Sequence, residues 1–247
     1  MKKKITIAID AMGGENAPKK IIKGLSIFLK KNNTNDFAIN LYGKEEEISK
    51  EISLFKISNP SIKIIHTDGV ISDEETPLTA IKNSKNTSMW NCVKAQLDGE
   101  ADISLSAGNT GVLLVISRMI LKTMSEVSRP ALAGLWPSKE GMSVVLDLGA
   151  NIECDEKNLV DFSEMGAALF KSIFPEKKPY VSLLNIGSEE IKGTEQLKKA
   201  HTKLKDLSDE KNFFFNGYIE GNKIMDGKTN VIVTDGFSGN IALKTAE

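Results

Sequence analysis

Hydrophobic and polar positions along this chain follow two different periods. Short runs rich in β-branched and aromatic residues, at 5–9, 37–42, 62–66, 102–106, 143–146, 180–186 and 231–234, end in turn-forming residues and predict strands. Between them lie stretches whose apolar residues recur every three or four positions. Ile21, Ile22, Leu25, Phe28 and Leu29 form the first such stripe, and Pro18 marks where its helix begins. Further helices are predicted near 44–55, 76–97, 110–121, 157–173, 194–207 and from Gly239 onward. Strands alternating with helices in this way predict an α/β protein whose mostly parallel sheet is covered on both faces.

The strand ends carry the more specific information. The run at 5–9 stops at Asp10, followed by Gly13 and Gly14, where a backbone without Cβ atoms can take positive φ and approach a ligand. Loops of similar kind follow later strands. They are Ser106, Ala107, Gly108, Asn109, Thr110, Gly111; then Asp147, Leu148, Gly149, Ala150, Asn151; then 185–193; and 234–240, with Asp235, Gly236 and Asn240. In a parallel sheet all strand carboxyl ends share an edge, so these loops are expected to converge on one crevice. Glycine loops that lead into helix N-termini offer backbone amides and the positive end of a helix dipole, which suits an anion. Ser106 to Gly111 is the best single candidate, since it opens the apolar helix and adds the Asn109 amide and the Thr110 hydroxyl. Asp10, Asp147 and Asp235 do not suit an anion cradle and are expected to tether loop N–H groups or to orient donors.

Composition narrows the classes. The 247 residues suffice for one large α/β domain or two small ones. The 32 Lys and Arg against 33 Asp and Glu give no global attraction to nucleic acid, and the lysines at 2–4 and at 177–178 read as solvated surface. The apolar run after Lys4 is too short for a signal peptide and is broken by Asp10, which suggests a cytosolic protein. The apolar helix at 111–121 is too short to span a bilayer and carries Arg118, so it is expected to be a core helix. Cys92 and Cys154 have neither CxxC nor histidine-paired spacing, so disulfide, metal and cofactor chemistry are not expected. Cys154 reads as a partly buried thiol. His201 is expected on the exposed face of a lysine-rich helix and His66 ends a strand, which leaves no basis for a Ser-His triad. Dinucleotide, phosphate-loop and HExxH motifs do not occur.

Taken together, residues 9–18, 106–111, 129–133, 146–151, 184–187 and 233–240 resemble the bacterial phosphate acyltransferases, the PlsX family. The matches fall in family order across essentially the whole chain, with Glu15 where the family usually has Asp. The resemblance implies a single α/β domain over 1–247, built as a three-layer α/β/α sandwich. It implies reversible transfer of a fatty acyl group from acyl carrier protein to inorganic phosphate, giving acyl phosphate for phospholipid synthesis.

By the same resemblance Lys192 and Asn240 match family positions that would face the phosphate and the carbonyl oxygen, with Asn151 among the supporting residues. The partners implied are acyl carrier protein, orthophosphate, a second copy in a homodimer, a downstream membrane acyl-phosphate:glycerol-3-phosphate acyltransferase and the inner face of the membrane, touched peripherally; nucleic acid is not among them. Family chains continue for about another third of this length, so the C-terminal part of the fold, with a helical hairpin for dimer and membrane contacts, is expected to be missing and a chain ending at Glu247 to be less stable and little active. The competing readings are a phosphotransacetylase-like or dehydrogenase-like enzyme, and a non-catalytic remnant that only binds carrier or phosphate.

Overall fold

The computed structural model describes residues 4–32, 37–72, 75–207 and 212–247. The chain divides into two compact units, Met1–Lys122 and Thr123–Glu247. Lys2 and Lys3 lie outside the described residues, whereas Lys177 and Lys178 are exposed.

In the first unit the strands β1 (Ile5–Asp10), β2 (Phe37–Gly43), β3 (Ile62–His66) and β4 (Ile103–Ser106) form a parallel sheet in the order β3-β2-β1-β4. The two-residue strand period sends alternate side chains to opposite faces. On one face Ile39 and Leu41 meet Ile22 and Leu25 of α1 (Lys19–Lys31) and Ile48 of α2 (Glu45–Leu54). On the other, Ala8 and Tyr42 meet Cys92 and Ala95 of α4 (Ser88–Leu97). Behind α4 pack α3 (Pro77–Asn83) and α5 (Thr110–Leu121), through Ala80, Met89, Val93, Val112 and Ile116. The apolar stretch at 111–121 is therefore a core-facing helix, with Arg118 on its exposed side.

The single helix expected over 76–97 is instead two. The Ser84 hydroxyl donates to the Ile81 carbonyl at 2.9 Å and the Thr87 hydroxyl to the Ser84 carbonyl at 2.7 Å. Asn86 takes φ +70°, and Thr87 then caps α4 by accepting from the Trp90 N–H at 3.2 Å. Short polar side chains that bond nearby backbone compete with the helix ladder, so a stretch apolar enough to read as one helix breaks where Ser, Asn and Thr cluster.

The second unit holds β5 (Ala133–Ser138), β6 (Gly141–Leu146), β7 (Tyr180–Asn185), β8 (Phe214–Glu220) and β9 (Val231–Val233), in the order β5-β6-β9-β7-β8. Only β5 and β6 pair antiparallel; the other neighbours are parallel. Helices α6 (Glu156–Ile173) and α7 (Glu195–Leu207) cover one face through Phe162, Phe170, Ala200 and Leu204. On the other face Val145 and Ile232 pack with Ile224 of a 3-10 helix, Gly221–Asp226, and with Ala242 and Leu243 of α8 (Gly236–Ala246). Both units are thus layered α/β structures with mostly parallel sheets, and the strands are shared between two sheets.

Strands β5 and β8 were not expected from the pattern. Both are edge strands, where breakers are tolerated because one side of the ladder is unpaired. β5 contains Gly134 and Pro137, and β8 contains Gly217 at φ +69° beside a register shift against β7.

Phe162 is fully buried in the larger core cluster of the second unit. Phe162→Ala should destabilise the protein by about 3–5 kcal/mol, the range for a buried aromatic truncated to a methyl group. Urea unfolding would measure it, and a loss below about 1 kcal/mol would mean that the site collapses to fill the void.

Candidate active site

In the first unit, β1 and β4 are parallel neighbours, so their carboxyl ends lie side by side. Asp10, at the end of β1, is almost fully buried. Its carboxylate accepts from the Ser106 hydroxyl at 2.7 Å and from the Met12 N–H at 3.2 Å, and Ser106 Oγ in turn accepts from the Gly108 N–H at 3.1 Å. Burial pushes the Asp10 carboxyl above its ordinary range, opposed by hydrogen bonds from Ser88 and Ser106.

The two glycines after Asp10 are needed for approach between the loops. A Cβ on Gly13 would sit 2.6 Å from Asp10 Oδ2 and 2.9 Å from the Gly108 nitrogen; one on Gly14, which takes φ +88°, would sit 2.5 Å from the Ala107 carbonyl oxygen. Asn109 caps α5, its side-chain oxygen accepting from the Val112 N–H at 3.1 Å and its amide nitrogen donating to the Glu75 carbonyl at 3.4 Å. Thr110 and Gly111 open the helix, whose first-turn amides have no intrahelical acceptor and carry the positive end of the dipole. Thr110 is exposed. Beside this edge runs an apolar cleft of about 370 Å³, lined by Ile7, Ile9, Leu25, Phe28 and Leu105 and reaching Asp10, Ser106 and Ala107.

In the second unit the parallel strands β6, β9 and β7 are adjacent, and three loops leave from their shared edge. Asp147 follows β6 and is fully buried. One carboxylate oxygen accepts from the N–H groups of Leu132, Gly149 and Ala150 at 3.0, 3.1 and 2.9 Å. The other accepts from the backbone and side-chain nitrogens of Asn151 at 2.8 and 2.7 Å. Asn151 reaches on, donating from its side chain to the Pro130 carbonyl at 2.8 Å, while its own carbonyl accepts from the Gly236 N–H at 2.7 Å. Asp235 caps α8 by accepting from the Ser238 N–H at 2.8 Å and the Ser238 hydroxyl at 3.0 Å.

That cap starts α8 at Gly236, earlier than the expected Gly239, so Asn240 lies inside the helix. Asn240 is exposed and its side-chain amide donates to the Leu148 carbonyl at 3.2 Å. Its helix presses on the Asp147 loop so closely that a Cβ on Gly239 would run into the Asp147 carbonyl oxygen.

After β7, buried Asn185 organises the loop that carries Lys192. Its side-chain oxygen accepts from the Ile186 N–H at 2.9 Å and its amide donates to the Lys192 carbonyl at 3.1 Å. Gly193, at φ +93°, leaves room for it. Lys192 projects outward and its ammonium pairs with Glu189 at 2.8 Å, with both side chains about half exposed. Ser106 and Asn185 open loops singled out in the sequence but had no role of their own there; in the structure Ser106 links Asp10 to the Gly108 N–H and Asn185 holds the Lys192 backbone.

The candidate residues therefore fall into two groups. Asp10, Gly13, Gly14, Gly108, Asn109, Thr110 and Gly111 gather at the carboxyl edge of the first sheet. Asp147, Asn151, Lys192, Asp235 and Asn240 gather at the carboxyl edge of the second.

The remaining polar candidates sit elsewhere. His66 Nδ1 accepts from the Glu45 N–H at 3.3 Å and its Nε2 lies 3.0 Å from Asp68. His201 is half-buried against Phe215 and Tyr218, correcting the expected exposed position, and burial lowers its pKa. Burial, with Asp147 and Asp235 adding repulsion, pushes the Cys154 thiol up to about 11. Among the described residues no group of three or more His, Cys, Asp or Glu could hold a metal ion.

This α/β fold is similar to that of solved phosphotransacylases. The chain superposes on a phosphotransacetylase from Streptococcus pyogenes with a TM-score of 0.70, at 18% identity, over 100% of this chain and 82% of that one. A family model described as fatty acid synthesis protein matches residues 5–247. Over 247 residues the chain is 52% identical to a phosphate acyltransferase of Pelagibacter ubique (strain HTCC1062), covering 73% of that protein. It is 40% identical to a phosphate acyltransferase of Caulobacter vibrioides, covering 68% of it. The chain belongs to this family, that of the bacterial phosphate acyltransferases.

Two measurements check the site's framework. Asp147→Ala leaves five donor groups without their acceptor in a buried setting and should cost at least about 3 kcal/mol in urea unfolding; a loss under 1 kcal/mol would mean that water replaces the carboxylate. Cys154 should react with iodoacetamide at pH 8 at least about tenfold more slowly in the native protein than in the unfolded chain, because a raised thiol pKa leaves little thiolate. Equal rates in the two states would contradict the burial.

Proposed function

We propose that this protein catalyses reversible transfer of a fatty acyl group from acyl carrier protein to orthophosphate, forming an acyl phosphate used in phospholipid synthesis. The observation that carries this reading is the match, along the whole chain, to relatives named phosphate acyltransferase. In the reaction a phosphate oxygen attacks the thioester carbonyl, the tetrahedral intermediate collapses with cleavage of the C–S bond, and the thiolate takes a proton from solvent. Orthophosphate brings its own nucleophilic oxygen and the thiolate leaves readily, so the chain needs no nucleophile of its own. Its task is to position the anion and to stabilise the developing oxyanion.

In this reading the amides that open α5, from Gly108 to Gly111, bind phosphate, with Gly13 and Gly14 keeping the neighbouring loop close. Lys192 supplies positive charge to the transition state, and Asn240 supplies an amide donor. The supporting roles fall to Asp10, Asp147, Asn151 and Asp235, which hold the loops. The same reading makes the protein a cytoplasmic homodimer that touches the membrane peripherally and passes acyl phosphate to a membrane acyltransferase. Among the described residues no helix is long and apolar enough to cross a membrane.

A second reading is favoured by the fold likeness to a phosphotransacetylase, in which the donor is a coenzyme A thioester. Purified protein should turn over acyl carrier protein thioesters only when orthophosphate is present, and faster than the matching coenzyme A thioesters. Turnover without phosphate would overturn the reading, and a preference for coenzyme A would support the second one. Lys192→Ala should lower kcat by roughly 10²- to 10³-fold, as for loss of an oxyanion-stabilising donor, with the melting temperature unchanged. Wild-type kcat in that variant would make Lys192 a solvated surface residue.

A further inference from the structure

Lys192 is the cationic side chain assigned to the reaction, yet its ammonium is already engaged. Glu189 lies three residues earlier in the same loop, and its carboxylate is 2.8 Å from Lys192 Nζ. The backbone closes the same turn, with the Lys192 N–H donating to the Glu189 carbonyl at 3.0 Å. Both side chains fold over Gly187: a Cβ there would lie 2.5 Å from Lys192 Cδ, 2.7 Å from Glu189 Oε2 and 3.0 Å from Lys192 Nζ. The position without a side chain thus forms the floor on which the pair rests. The adjacent carboxylate, Glu190, faces away to Lys205 at 3.5 Å. Glu189 is therefore the first partner of Lys192, and Glu220 adds only a weaker attraction.

We propose that Glu189 is an internal counter-ion that competes with the anionic substrate for Lys192 and so sets how much phosphate affinity the lysine delivers. The proposal rests on the role assigned to Lys192 above. A ligand whose site is open only part of the time binds with an affinity scaled down by the open fraction. A half-exposed ion pair is weak, whereas a phosphate dianion offers more charge and several acceptor oxygens to an ammonium group. Phosphate therefore displaces Glu189 at a modest cost in affinity. Glu189 acts through Lys192 and is a positioning residue.

The test measures binding of inorganic phosphate by isothermal titration calorimetry to the wild-type protein and five variants, Lys192→Ala among them. Glu189→Gln should bind phosphate about two- to fivefold more tightly, the span that corresponds to the worth of an exposed ion pair. Glu189→Asp keeps the charge and should return the affinity toward the wild-type value. Glu190→Gln removes a neighbouring charge that does not engage Lys192 and should leave affinity unchanged. In the double variant Glu189→Gln with Lys192→Ala, the gain should vanish relative to Lys192→Ala alone. In turnover, Glu189→Gln should lower KM for phosphate while kcat changes little.

Unchanged or weaker binding in Glu189→Gln, with Lys192→Ala clearly weakened, would overturn the counter-ion role and leave Lys192's role standing. Equal gains in Glu189→Gln and Glu190→Gln would show only a general field effect and would also overturn it. If Lys192→Ala binds phosphate as the wild type does, the role assigned to Lys192 fails, and this inference with it.

Discussion

The architecture around the candidate site depends on carboxylates buried at strand ends. A charge taken out of water is tolerated only when its oxygens are fully used, and Asp147 meets that condition with five donors, one from Leu132 and four from residues 149–151. Through Asn151 the same network reaches Pro130 and the start of α8. The loop after β6, the segment before β5 and the helix after β9 are therefore set by one carboxylate. Asp10 plays a smaller version of this part in the first unit, tying the loop after β1 to the loop after β4 through Ser106.

Glycines complete what the carboxylates begin. At Gly13, Gly14 and Gly239 a side chain would meet backbone or a buried polar group, so these positions let one loop touch another where no Cβ fits. The result in each unit is a floor built of backbone and a buried acid. Beside it stand a few exposed polar side chains, Thr110 in the first unit and, in the second, Lys192 and Asn240. Rigid, satisfied groups below and accessible donors above suit a reaction whose main demand is placement of an anion.

The exposed lysine behaves differently from the floor beneath it. Its backbone is fixed by Asn185, while its ammonium pairs with Glu189 in solvent. Such a pair changes partners at little cost, so the same loop combines a fixed origin with an adjustable charge.

Much of the fold was legible in the sequence because burial imposes periodicity. The runs at 5–9, 37–42, 62–66 and 231–234 and the stripe Ile22, Leu25, Phe28 report which faces leave water, and the structure places strands and helices there. The family was legible because its loops carry Asp, Gly and Asn in a fixed order. Edge strands β5 and β8 left no such trace, since an unpaired side tolerates Pro137 and Gly217. The break between α3 and α4 was hidden because the apolar pattern continues across Ser84 and Thr87, whose hydroxyls bond back to the chain. Which oxygen of Asp147 meets which N–H, that Gly13 serves a second loop, and that Lys192 rests against Glu189 follow from distances between segments far apart or folded back on themselves. Local pattern determines which residues are buried and in what kind of element; only tertiary structure decides which polar groups meet, because those contacts depend on where parallel strands place their ends.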